Sequence, residues 1–232
     1  MTRAALVWCE NEHLRVAPLP DDTPTVIGRA GDATLRFDAR TLSRHQAAVS
    51  CRNGVYAIQQ LGASNPTLVD GAVLTPERPP LTLRDGAAIE LPEVRLVFHD
   101  LAAADRLEFQ ARCGYCSRAV QPVDLVCWYC GTSIDSAPGV FAVPRSVVCR
   151  LVAQNGASFD LCASESLAFR GDGAIEIWRQ GSRPSVPAVV AREDGAWLVL
   201  PPDAAEPEGS CRRLRSGTEL HTVAGRFAVL VR

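Results

Sequence analysis

Along most of the chain the apolar residues come in short runs cut by Gly, Pro, Asn-Gly or Asp-Gly. Runs of this length, flanked by turn formers, predict β-strands rather than helices. In the N-terminal part they predict strands at Ala5 to Cys9, Leu14 to Leu19, Thr25 to Ile27, Thr34 to Phe37, Gln46 to Cys51, Val55 to Leu61, Thr67 to Val69, Ala88 to Leu91 and Arg95 to His99. Asn53-Gly54 and Asp85-Gly86 fall where tight reversals are needed, because Asn, Asp and Gly tolerate the positive φ of hairpin turns. No long helix is predicted, so the fold class is all-β.

From about residue 140 the pattern starts again. The stretch 189–200 parallels 48–59 residue for residue, each a strand, a turn and a strand, which sets Asp194-Gly195 on Asn53-Gly54. Further on, 214–220 follows 83–89 in the same way, and the two matches fall in the same order. This self-similarity predicts two related β-sandwiches, at 1–104 and 140–232.

Between them lie Cys113-Gly114-Tyr115-Cys116 and, ten residues on, Cys127-Trp128-Tyr129-Cys130. Each CxxC knuckle turns two thiolates to one side of a tight loop, and a pair of knuckles can surround Zn²⁺ tetrahedrally. The segment 107–134 resembles a small zinc ribbon, too short to bury a sufficient core without metal ligation. Two disulfides, or iron on the same four sulfurs, are the alternatives. Four cysteines close the coordination shell, so the expected role is structural and metal-assisted hydrolysis is not expected. The other cysteines, Cys9, Cys51, Cys149, Cys162 and Cys211, read as small core residues.

Composition narrows the function. All 24 basic residues are arginine against 26 acids, for a net charge of −2. The absence of lysine excludes a P-loop lysine, a Schiff-base lysine and a lysine general base. The balance gives no global attraction to nucleic acid or anionic membrane, and the ribbon loop 117–124, with one Arg and one Asp, is no basic patch. No stretch is long and apolar enough for a membrane span, and the N-terminus does not read as an export signal. A cytoplasmic protein with reduced thiols is expected. His13, His45, His99 and His221 belong to no catalytic motif, and strand positions facing an edge or solvent are expected for three of them. The chain is expected not to be an enzyme.

Three clusters in the first sandwich point to phosphate chemistry: Gly28-Arg29, Ser43-Arg44-His45-Gln46 and Ser64-Asn65-Pro66-Thr67. Arginine offers a planar charged fork, serine a neutral donor and asparagine an amide for peptide backbone. In their order and spacing these clusters resemble the forkhead-associated (FHA) domain, a β-sandwich that recognises phosphothreonine. The resemblance covers about residues 25 to 99. It implies that Arg29 and Ser43 contact the phosphate, that Ser64 adds a hydrogen bond, that Asn65 binds the peptide main chain and that Arg44 reads the phosphate or a neighbouring residue. It further implies a phosphothreonine-containing partner in a Ser/Thr kinase pathway, and a small apolar pocket for the threonine methyl worth about 1 kcal/mol. One departure stands at Gln46, where the family usually has histidine; its amide can donate and accept comparable hydrogen bonds. In the second sandwich Pro184 and Ser185 fall near Ser43 and Arg44, Arg170 near Arg29, and no Asn matches Asn65. That half is expected to be a degenerate FHA-like sandwich serving as spacer, dimer face or protein dock. The alternative for the whole chain is a constitutive scaffold or self-assembly subunit with a vestigial phosphate site.

Overall fold

The computed structural model describes residues 3–120, 124–134, 140–179, 185–201 and 209–232. Alternation sets the core of the first sandwich: Ala47 and Val49 point inward from strand Ala47–Arg52, as do Tyr56, Ile58 and Gln60 from Val55–Gln60. The hairpin between them turns on Asn53 and Gly54, both at positive φ (51° and 75°). One sheet runs in the order His13–Leu19, Ala4–Glu10, Val94–Asp100, Ala88–Leu91, Thr67–Val69, Ala72–Leu74. The other runs Leu35–Arg36, Thr25–Gly28, Ala47–Arg52, Val55–Gln60, Leu81–Thr82, antiparallel except where Thr25–Gly28 meets Leu35–Arg36. Leu6, Ile27, Tyr56, Ile58, Ile89 and Phe98 fill the space between them.

The second sandwich repeats this connectivity. One sheet has the order Ser158–Cys162, Val147–Ala153, Gly225–Val231, Glu219–Thr222, and the other Ile175–Arg179, Glu165–Phe169, Ala188–Arg192, Gly195–Leu200, Ser210–Arg213. In strand order this is the first sandwich without the hairpin Thr67–Val69/Ala72–Leu74, but the edge strand Ile175–Arg179 runs antiparallel to Glu165–Phe169 where Leu35–Arg36 runs parallel to Thr25–Gly28. The Leu83 N–H donates to the Tyr56 carbonyl and the Leu214 N–H to the Ala196 carbonyl; Gly86 and Gly217 donate likewise to Phe98 and Val229. The match of 214–220 with 83–89 therefore holds in three dimensions. The match of the hairpins is displaced by one residue, since these bonds equate Ala196, not Trp197, with Tyr56. The cause is the turn: Arg192 pairs with Gly195 across Glu193-Asp194, and the positive φ falls on Gly195 (136°).

The two sandwiches belong to one body, 1–104 with 147–232. Ala5 and Val7 point away from their own core and, with Leu14 and Leu101, meet Val147, Val152, Cys162, Ala228 and Leu230. Strand Ala4–Glu10 is thus buried on both faces over its first four residues, which is why its sequence is uninterruptedly apolar. A polar lock lies beside this seam. Arg150, buried, donates through Nε and Nη2 to both carboxylate oxygens of Asp160 (2.6 and 3.1 Å) and through Nη1 to Asp85 (2.5 Å) and His99 Nδ1 (3.1 Å). His99 is therefore buried rather than at an edge, and desolvation and the Arg150 charge push its pKa down to about 4. Cys149 and Cys162 are buried, Cys51 partly so, whereas Cys9 and Cys211 are exposed rather than in the core.

The segment 105–146 is a separate unit. Its sheet pairs Arg106–Arg112 with Ala119–Val120 and with Val140–Arg145, so the second sandwich opens at Val147 and the strand near residue 140 belongs to the ribbon. Among the described residues the one helical element is the 3₁₀ turn Leu101–Ala104, and no helix is long and apolar enough to cross a membrane.

Candidate functional site

The loops that leave strands Thr25–Gly28 and Val55–Gln60 come together with the loop that enters Ala47–Arg52. Gly28 permits the first approach. A Cβ there would stand 2.1 Å from the Arg44 carbonyl oxygen, so no other residue lets the chains lie this close. The Arg29 N–H then donates to the Ser43 carbonyl and the Ala30 N–H to the Arg44 carbonyl, both at 3.1 Å. A hydrogen bond between His45 Nε2 and Asp32 (2.9 Å) clasps the same two loops from outside and, with the Asp32 backbone, holds the Asp32 carboxyl below its usual range.

Gln46, fully buried, ties in the third loop. Its Oε1 accepts the Ser43 N–H (3.1 Å), and its Nε2 donates to the Asn65 carbonyl (2.7 Å) and to Thr67 Oγ1 (3.1 Å). The Ser64 N–H donates to Ser43 Oγ (3.3 Å) and Asn65 Nδ2 to the Thr41 carbonyl (2.7 Å). Arg29, Ser43, Arg44, Ser64 and Asn65 are thereby gathered at one rim, with Arg29, Arg44, Ser64 and Asn65 exposed and Ser43 half-buried. Asn65 has one amide N–H committed to the protein itself. A buried residue outside the three clusters also supports the rim: Gln60 Oε1 accepts the Thr67 N–H (2.9 Å) and Nε2 donates to the Ala63 carbonyl (3.3 Å). The sequence does carry its signal, a polar residue on the inward face of an alternating strand.

Among the described residues the second sandwich shows no such rim. Arg170 follows strand Glu165–Phe169 as Arg29 follows Thr25–Gly28, but it closes a tight hairpin and pairs with Glu176 (3.4 Å). Ser185 is exposed, and Pro184 lies outside the described residues, as does most of the acidic loop 201–210.

In the ribbon the two knuckles are built alike. The Cys113 N–H donates to the Arg118 carbonyl and the Cys113 carbonyl accepts from Ser117; Cys127 repeats this with Thr132 and Gly131. Ser117 and Gly131, the turning residues, have positive φ (58° and 76°). Sγ atoms of Cys113 and Cys130, and of Cys116 and Cys127, are 3.7 Å apart, and all four lie within 4.8 Å of one another. A tetrahedron with metal–sulfur bonds of about 2.3 Å has edges of about 3.8 Å, whereas a disulfide needs about 2.05 Å. The four sulfurs therefore fit a tetrahedral metal ion and not two disulfides. The Thr132 hydroxyl and N–H hold the Cys130 thiol down to about 6, whereas desolvation and the neighbouring thiols push Cys116 up to about 11.

No curated protein matches the chain in sequence. Among solved structures, the chain is similar to the FHA domain of an Arabidopsis thaliana protein (24% identity, 42% of this chain and 84% of that one, TM-score 0.39). It is also similar to an FHA domain from Chlamydia trachomatis (18% identity, 42% and 97%, TM-score 0.39). A third similar structure is Mycobacterium tuberculosis EmbR in complex with a low affinity phosphopeptide (27% identity, 41% and 24%, TM-score 0.37). The family model of the FHA domain matches residues 25–92, the segment that carries all three clusters and both glutamine struts. Residues 25–92 are an FHA domain.

Proposed function

We propose that the chain reads phosphothreonine in a partner protein, as a non-enzymatic adaptor beside a Ser/Thr protein kinase. The observation that carries this reading is the buried Gln46 amide, which holds the serine loop and the asparagine loop to one another next to the arginine admitted by Gly28. In this reading Arg29 gives the phosphate a charged fork, Ser43 and Ser64 give hydroxyl donors, and Arg44 reads the phosphate or the adjoining residue. Asn65 binds the peptide backbone with the amide groups left after its bond to Thr41. The ribbon holds structural Zn²⁺ on Cys113, Cys116, Cys127 and Cys130, which supplies the folding free energy of that small unit and no chemistry. The second sandwich is an FHA-like fold without a phosphate grip, and the thiol-rich chain works in the cytoplasm where kinase products accumulate.

The test is a degenerate phosphothreonine peptide array, with unphosphorylated and phosphoserine counterparts. Selective capture of phosphothreonine peptides, lost in Arg29→Ala, is expected; equal capture of phosphorylated and unphosphorylated peptides would falsify the reading. The internal bond of Asn65 favours one competitor, a constitutive scaffold whose rim is architectural. In that case Arg29→Ala leaves partner capture unchanged.

A further inference from the structure

Strand Glu219–Thr222 alternates in the usual way: Leu220 enters the core of the second sandwich, and Glu219 and His221 share the opposite face. Facing them is His13, which opens strand His13–Leu19 of the first sandwich after a turn at Asn11 and Glu12 (φ 49° and 67°). The Glu219 carboxylate is held from behind, because its Oε1 accepts the Leu14 N–H at 3.1 Å. Its Oε2 is thereby aimed between two imidazoles, 3.0 Å from His13 Nδ1 and 3.5 Å from His221 Nε2. The rings lie 6.5 Å apart at a tilt of 30°, and one ligand atom from each residue lies within 4.8 Å of the other two.

We propose that His13, Glu219 and His221 bind a divalent transition-metal ion of the zinc type, at a site separate from the ribbon cysteines, bridging the two sandwiches. With metal–ligand bonds of about 2.0–2.2 Å a tetrahedral ion needs ligand edges of about 3.3–3.6 Å. Of the two observed carboxylate–imidazole separations, 3.5 Å lies within that span and 3.0 Å just short of it, and the two imidazole ligand atoms are no more than 4.8 Å apart, so a small adjustment of the rings completes three ligands. Two imidazoles and one carboxylate select Zn²⁺, Ni²⁺, Co²⁺ or Cu²⁺ over Mg²⁺ and Ca²⁺, which prefer all-oxygen shells. The Leu14 N–H on the second carboxylate oxygen orients the ligand as outer-shell partners do in metal sites. Access is open, since the side chains of His13 and His221 are about half exposed (46% and 58%), which leaves coordination positions for water. The nearest cation on the strand pair is Arg226, opposite His221, and its guanidinium is drawn away to the Glu12 carbonyl (2.7 Å). Because the three ligands come from both sandwiches, the ion is a clip across them, and it stabilises the body by binding the folded state alone.

The test uses the full, untagged chain with its ribbon cysteines already loaded with zinc. Bound zinc per chain is counted after equilibrium dialysis against rising free Zn²⁺, alongside the thermal midpoint. The wild type is expected to take up one ion beyond the ribbon's and to gain thermal stability with it. His13→Ala with His221→Ala should lose that ion and the gain, while keeping the ribbon ion and, because both side chains are at the surface, the fold. A second arm, Glu219→Gln, keeps a carbonyl for the Leu14 N–H and should weaken uptake at least tenfold. No second ion in the wild type, or the same uptake in the double variant, overturns the proposal.

Discussion

Replacing Gln46 by leucine keeps side-chain volume nearly constant and removes all three hydrogen bonds of the amide at a fully buried position. Each is worth about 1 kcal/mol net, and a buried partner left unpaired costs about 1–3 kcal/mol more. The Ser43 N–H and the Asn65 carbonyl sit at the rim where water can replace the lost group, but Thr67 Oγ1 is in the core. The expected destabilisation is therefore about 3–5 kcal/mol, measured as a shift of the urea midpoint. Gln46→His gives a graded control, since one imidazole offers one donor and one acceptor and can replace two of the three bonds, at a loss of about 1 kcal/mol. Phosphothreonine-peptide affinity should follow the same order, falling roughly tenfold or more in Gln46→Leu because the loops bearing Ser43 and Asn65 lose their common strut. If Gln46→Leu unfolds within about 1 kcal/mol of the wild type, the amide is not the strut described above.

Gly28→Ala must push the Arg44 carbonyl back by about 1 Å or more; a loss of about 1–3 kcal/mol is expected, with weakened phosphopeptide capture, and denaturation with peptide titration reads both. His99 supplies a pH test. Its pKa is about 4 folded against 6.5 ordinarily, so the unfolded chain binds a proton that the folded chain does not, and stability falls as pH drops from 6.5 to 4. The loss from this group is on the order of 3 kcal/mol, so the unfolding free energy read from urea titrations should fall by about that much more in the wild type than in His99→Gln as pH drops across that window. Cys113→Ser with Cys130→Ser should abolish metal binding in the ribbon and the signal of its exposed Trp128, yet leave the unfolding midpoint of the body unmoved, as calorimetry would show.

Strand runs and tight turns were legible because they depend on neighbours in the chain. The strands Ala72–Leu74 and Leu81–Thr82 escaped for the opposite reason: two or three residues carry no period, and only the Asp70-Gly71 turn (φ 49° and 79°) marks the first of them. The hairpin of the second sandwich was placed one residue off, since Asp194-Gly195 looks like Asn53-Gly54 while the pairing turns on Glu193-Asp194. The rim residues sit in contiguous motifs and could be named from the chain. Gln60 could have been found beside them. What could not be read was the seam between the sandwiches. Ala5, Val7 and Leu230 look like ordinary core, and His99 like an edge residue, until the second layer covers them. The trio His13, Glu219 and His221 joins residues from opposite ends of the chain, which no local pattern reports.

The backbone leaves the body after the turn Leu101–Ala104 and returns to it at Val147, and Leu101 and Val147 share one apolar cluster. Exit and return thus use the same doorway, so the cysteine-bearing segment is lodged in its host like a passenger that can be exchanged or evicted without rethreading a single strand.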